Sequence, residues 1–270
     1  MKSRLLKGLI IVIALPALIF PTLALGYILY RGLPELGVMI LLDSSSVPYG
    51  LGGQIIGSLL LMIGAFLIAT PVALGLAVWL QTKPQNACWL DSVTNILYLL
   101  QGIPPIVYGL CGLVVLVQLL DWGISLLAGV VVLAAIILPM LTLNFSHILN
   151  RIPPEYTEAG FSLGLGPAGV LMRIWLPAAW QGLVTAILLS LARTLSETAP
   201  ILFTATVFSG VIWPASWFSP VTTLQTHIFF LAQEGLDAQA INSAWAAAVI
   251  LIGLISLFSL AALWLRYRHP

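Results

Sequence analysis

The stretch EYTEAGFSLGLGPAGVLMRIWLPAAW, residues 155–180, mixes charges with helix-breaking residues in a chain that is otherwise almost continuously apolar. Within it, YTEAGFSLG supports a short helix, and Gly164, Gly166 and Pro167 stop that helix because glycine and proline both disfavour a helix interior. A second short helix is expected over 168–175. Pro177 then falls just inside the start of the next long apolar segment, where its missing N–H costs nothing. The expected shape is a helix, a sharp glycine turn and a second helix, with small residues exposed.

The surroundings give this stretch its meaning. The chain has 270 residues, 60% hydrophobic and 7% charged, with a mean hydropathy of +1.09. A soluble domain carries about 25% charged residues, so this is a membrane protein. A net charge of +1 gives no footing for nucleic acid, and lipid is the partner that the composition implies. Cys88 and Cys111 lack the spacing of a zinc site or a redox pair and read as apolar fillers. Lys2, Lys7 and Lys83 are the only lysines, and none closes a phosphate-cradling GxxxxGK[ST] loop, so any ATP must be bound by another chain. HExxH does not occur, and no metal site is expected.

Windows of about 20 apolar residues mark spanning helices. Six are expected, over 9–30, 54–81, 92–119, 122–145, 178–205 and 241–265, as one all-helical integral-membrane domain covering 1–270. The first apolar run exceeds a signal-peptide core, so it is expected to stay on the chain although ALG at 24–26 could pass for a cleavage site. The third and fourth spans form a hairpin around Asp121, and Gly102, Pro104 and Pro105 bend the third.

Counting Lys and Arg places Lys2, Arg4, Lys7, Lys83, Arg151, Arg173, Arg266 and Arg268 on the side of the N-terminus, against Arg31 opposite. Both termini are therefore expected in the cytoplasm. Two connections exceed turn length. The cytoplasmic one runs over 146–177. The external one, 206–240, carries Trp213, Trp217, Phe218, Phe229 and Phe230 and reads as a segment lying in the outer interface. His147 and His227 read as loop or interface residues.

The 155–180 stretch resembles the cytoplasmic loop of bacterial ABC importer permeases, whose pattern is EAA, three residues, G, nine residues, I, one residue, LP. Glu158, Ala159, Gly160, Gly164, Ile174, Leu176 and Pro177 stand at that spacing, with Gly160 in place of an alanine. The resemblance implies the type I, MetI-like permease fold in the inner membrane. It also implies that Glu158, Ala159 and Gly160 contact an ATPase subunit, which holds the ATP and Mg.

A second stretch, ARTLSETAPILFTA over 192–205, resembles the GRAxGETAPLLFTA segment of PstA-type phosphate importer permeases. QGIPPIVYGL over 101–110 resembles their GVPSIVYGL. Ser196 for glycine and Pro105 for serine are departures that leave the cargo open among phosphate, phosphonate, sulfate and molybdate. The same resemblance implies a second, PstC-like permease, two PstB-like ATPase subunits and an external PstS-like phosphate-binding protein.

A charge at bilayer depth costs at least about 2.5–3.5 kcal/mol, so Arg193 should face a water-filled path or the bundle interior. Glu197, one turn on, can pair with it. Two readings follow from the residues. The pair could tie one helix to another. Alternatively, Arg193 offers its planar fork to an oxyanion, with Glu197 as resting partner and Ser190, Ser196 and Thr198 as weaker donors. Rival classes are an ion-coupled secondary transporter and an intramembrane hydrolase using Ser196 with His147. The docking-type loop disfavours the first, and the second would draw Ser196 and His147 from different spans with no nucleophile motif around Ser196.

Overall fold

A computed structural model describes residues 2–37, 50–82, 88–207, 214–234 and 237–268, with side chains at all of these except 2–14, 88–90, 234 and 268. Lys83, Trp213 and the side chains of Lys2, Arg4, Lys7, Cys88 and Arg268 lie outside the described residues. The described structure is all helical: α1 (Lys2–Gly32), α2 (Gly52–Thr82), α3 (Cys88–Gly102), α4 (Pro105–Leu119), α5 (Leu126–Leu149), α6 (Pro154–Ser162), α7 (Pro167–Ser196), α8 (Ala199–Thr204), α9 (Leu224–Glu234) and α10 (Ala238–Arg268). Five segments are long and apolar enough to cross a membrane, and the bent α3–α4 pair makes a sixth if counted as one span.

The core is the α2–α5 pair. On α2, Gly57, Leu61, Ala65, Ala69, Ala73 and Ala77 recur at every fourth residue and are all buried. That spacing puts them on one helix face, and their small size lets α5 approach closely. Leu133, Ile137, Leu141 and Phe145 of α5 fill the seam. Around this pair, α10 packs on α7, and α1 packs on α10 through the edge-to-face Tyr27–Trp245 contact at 5.5 Å.

Proline accounts for the breaks. The third span is divided: α3 and α4 meet at 90° across Ile103 and Pro104. Each residue preceding a proline is driven out of the α region, and Pro104 accordingly has ψ 135°. The Tyr108 hydroxyl donates to the Leu100 carbonyl (2.9 Å), satisfying one of the acceptors that the break leaves open. Asp121 and Gly123, both at positive φ, turn the chain into α5, whose N-cap Ser125 accepts from the Ala128 N–H.

Four expectations need correction. The second short helix is no separate element: α7 runs without interruption from Pro167 to Ser196, so Pro167, not Pro177, sits at the helix start. Pro177 lies within this run, directly after a π turn at Leu171–Trp175 in which the Leu176 N–H reaches back to the Leu171 carbonyl, and this wider turn accommodates the proline. The fourth span is shifted to Leu126–Leu149, so His147 is in a helix and the coupling loop begins near 150.

The fifth span does not continue to 205. It stops at Ser196, because Pro200 cannot donate to the Ser196 carbonyl and its ring would clash there. Finally, the external connection does not simply lie in the interface. Val221, Thr223, Leu224, Gln225, Thr226 and His227 are buried inside the bundle. There the Thr222 carbonyl lies against Gly57 so closely that any Cβ at 57 would run into it. Gly57→Ala is therefore expected to destabilise the protein by about 1–3 kcal/mol or more, read as a lowered thermal midpoint of the purified chain in detergent.

Candidate functional site

Two places carry the residues singled out by sequence, and α7 joins them. At one end, α6 ends in a helix stop built by local chemistry. Gly164 has φ +80°, its N–H donates to the Phe161 carbonyl (2.9 Å), and the Leu165 N–H donates to the Gly160 carbonyl (3.1 Å). This is the paired 6→1 and 5→2 bonding of a Schellman stop, which requires the left-handed conformation that glycine adopts at least cost.

The motif residues then divide by face. Glu158 and Ala159 are exposed, as are the large apolar side chains of Tyr156, Phe161 and Leu163. Gly160 is buried, and a Cβ there would lie 2.5 Å from the Ile174 Cδ1. Gly160 and Ile174 therefore pack against each other. Because the opposing atom is the free end of a side chain, an alanine at 160 would need only a small shift of Ile174. The Trp175 Nε1–H donates to Thr157 Oγ1 (2.9 Å), pinning α6 to the start of α7. Leu176 is half-buried in the same cluster, while Pro177 is exposed.

At the other end of α7, Arg193 lies in the last turn and not midway along a continuous span. Its Nη2 is 3.4 Å from Glu197 Oε1, with Arg193 47% exposed and Glu197 12%. Both belong to one strand of chain: Glu197 is the first extended residue after α7 (ψ 117°). The pair therefore folds the end of α7 onto itself and does not tie two helices together. Ser196 is exposed and its hydroxyl donates to the Arg193 carbonyl (2.6 Å); Thr198 is half-buried at the start of α8. Ser190 is fully buried with its hydroxyl unpaired.

The break at Glu197 lets the two resemblance-bearing stretches meet. Gly109 of α4 lies under α8 so closely that a Cβ there would be 2.8 Å from Pro200 Cα. Two carbonyls at the end of α8 accept from elsewhere, Thr204 from the Ser125 N–H and Ala205 from the Val221 N–H, each at 2.9 Å. Sequence reasoning missed what holds the end of α7. Gln225, on the buried segment, donates from Nε2 to the Leu195 carbonyl (2.7 Å) and accepts from Ser58 Oγ (2.9 Å); Ser58 in turn accepts from the Leu224 N–H. A polar Gln and Ser flanked by small residues was the available signal. Replacing Gln225 by Ala strands a buried carbonyl, and an expected loss of about 1–3 kcal/mol should appear in thermal unfolding of the solubilised chain.

Of the two histidines read as loop or interface residues, His147 is exposed in the last turn of α5 and His227 is instead buried. His227 is buried with its Nε2 3.0 Å from Ser243 Oγ, and His147 stands on α5, 3.3 Å from the Tyr98 hydroxyl. Ser196 and His147 are thus each engaged with other groups, and no hydrolase dyad is formed.

Bent spans with one short exposed helix leading into a long membrane helix are what the resemblance to importer permeases implies. Residues 75–268 match the family described as binding-protein-dependent transport system inner membrane component, and the chain belongs to that family. It is an ABC transporter permease and a multi-pass membrane protein. It is 34% identical over 264 residues to the phosphate transport system permease protein PstA 2 of Mycobacterium bovis, covering 96% of this chain and 87% of that one. Its fold matches a bacterial alginate ABC transporter (TM-score 0.67, 16% identity, 97% of this chain and 94% of that one) and the MetNI methionine ABC transporter (TM-score 0.59, 21% identity, 81% and 94%).

Proposed function

We propose that the chain is one half of the translocation path of an ATP-driven importer of inorganic phosphate in a bacterial inner membrane, with both termini cytoplasmic. A second permease completes the path, two ATPase subunits bind ATP and Mg, and an external binding protein delivers the anion. This chain hydrolyses nothing and holds no cofactor. The observation that carries the cargo reading is Arg193: a half-exposed guanidinium at the end of a membrane helix, paired at 3.4 Å, in a segment resembling that of phosphate permeases.

The guanidinium presents parallel N–H donors that match two oxygens of a tetrahedral anion. Glu197 occupies it when no anion is present, so the site is not left with an uncompensated charge, and the anion must displace a carboxylate, which limits how tightly it is held. Thr198 is a nearby hydroxyl donor, and Ser196 becomes one if its hydroxyl turns away from the Arg193 carbonyl. Ser190 would reach the anion only after α7 moves. The exposed Glu158 and Ala159 dock the ATPase. Motion there passes to Arg193 along a single element, since α7 spans 30 residues, about 45 Å at 1.5 Å per residue, from beside the docking helix to the anion contact.

Competition identifies the cargo. In cells depending on this importer, uptake of labelled phosphate is expected to be blocked by excess unlabelled phosphate and unaffected by equal sulfate, molybdate or methylphosphonate. Preferential uptake of one of those anions would reassign the cargo while leaving the permease assignment intact.

A further inference from the structure

Along the same face of α7 that carries Arg193, towards the docking helix, Gly182, Thr185, Ala186 and Leu189 line a cavity of about 680 Å³ bounded by α5 and the end of α10. Arg151, Arg266 and His147 stand on its wall together with Asn144 and Gln181, and no Asp or Glu among the described residues lines it. Neither guanidinium has an acidic partner among the described residues. Gln181 donates to the Leu265 carbonyl (3.0 Å), fastening the end of α10 where Arg266 enters the wall.

Each arginine stands at a helix C-terminus, where a cation is favoured by only about 0.3–1 kcal/mol. That preference explains one arginine per helix end. It does not explain why two, from different helices, converge on one cavity without an acid between them. Unpaired like charges brought together repel, and an anion seated between them removes the repulsion and gains charge-assisted hydrogen bonds. The other walls, Ile148, Ala186 and Leu189, are apolar, so the cavity suits a tetrahedral oxyanion alone or one attached to an apolar stem.

We propose that this cavity binds a phosphoryl oxyanion through Arg151 and Arg266, as a site separate from Arg193. The group is either free phosphate or the headgroup of an anionic phospholipid, and the site adjoins the docking helix because Arg151 lies three residues before Pro154. The inference does not depend on which anion is imported.

The test uses the full chain carrying Arg193→Gln, so that binding at the other site does not contribute. In phosphatidylcholine nanodiscs, titration with inorganic phosphate reads the free ion; in discs containing phosphatidylglycerol without phosphate, native mass spectrometry reads retained lipid. Saturable binding is expected in at least one arm. It should weaken about tenfold or more in Arg151→Gln/Arg266→Gln, be partly kept in Arg151→Lys/Arg266→Lys, and be unchanged in Arg173→Gln. All three should keep the parent thermal midpoint. Binding in the phosphate arm assigns the free ion, and selective retention of phosphatidylglycerol assigns the headgroup. Absence of binding in both arms, or equal binding by the Gln double variant, overturns the proposal.

Discussion

Arg193→Gln is expected to reduce phosphate uptake by the assembled importer about 100-fold or more, the equivalent of losing a bidentate, charge-assisted contact. Arg193→Lys keeps the charge and loses the planar fork, so it should also transport poorly. Both variants should still assemble, because the side chain is half exposed and its one ionic partner is four residues away on the same chain. Assembly is checked by co-purification of the partner subunits, and uptake by labelled phosphate in proteoliposomes.

The double variant Arg193→Gln/Glu197→Gln separates the two roles of the pair. If the pair only shaped the end of α7, two neutral amides could still hydrogen-bond and transport would recover. The anion-contact account expects it to remain as defective as Arg193→Gln. Glu197→Gln alone should bind phosphate more tightly and turn over more slowly, since nothing then competes for the guanidinium.

The second large effect lies at the other end of α7. Ala159→Trp should leave the thermal midpoint of the chain nearly unchanged, because the side chain projects from α6 into solvent; if α6 docks the ATPase as proposed, the added volume should lower ATP-driven uptake about tenfold or more. Co-purification of the ATPase should fall in parallel. A matched change on the buried side, Gly160→Ala, should be mild in both assays, since the atoms that oppose it most closely are side-chain ends, Ile174 Cδ1 and Val170 Cγ2.

Which parts of this were legible follows from the range over which each feature is determined. The stop at Gly164 needs only a dozen residues, and the sequence names each of them; so does the bend at Pro104–Pro105, although its 90° angle is set by α4 packing on α8. The end of α7 at Ser196 carried a local signal, Pro200, that the apolar continuation to Ala205 obscured. The burial of 221–227 had none. Its aromatic flanks suit an interface, and only the space beside Gly57, some 165 positions away, shows that the segment is held inside. The register of mostly small residues on α2, visible at every fourth position, is a long-range cue that the sequence does carry. The contact between Gly109 and Pro200 joins two stretches that each resembled a family segment, and nothing in either predicts that they touch.

In the proposed cycle this chain forms the path and moves only when another chain hydrolyses ATP. Reconstitution tests that most directly. Liposomes containing this chain with its partner permease and ATPase, supplied with the binding protein, should accumulate labelled phosphate only with ATP inside contact of the ATPase, while liposomes containing this chain alone should accumulate none under a proton or sodium gradient. Gradient-driven uptake by the chain alone, without ATP, would contradict it.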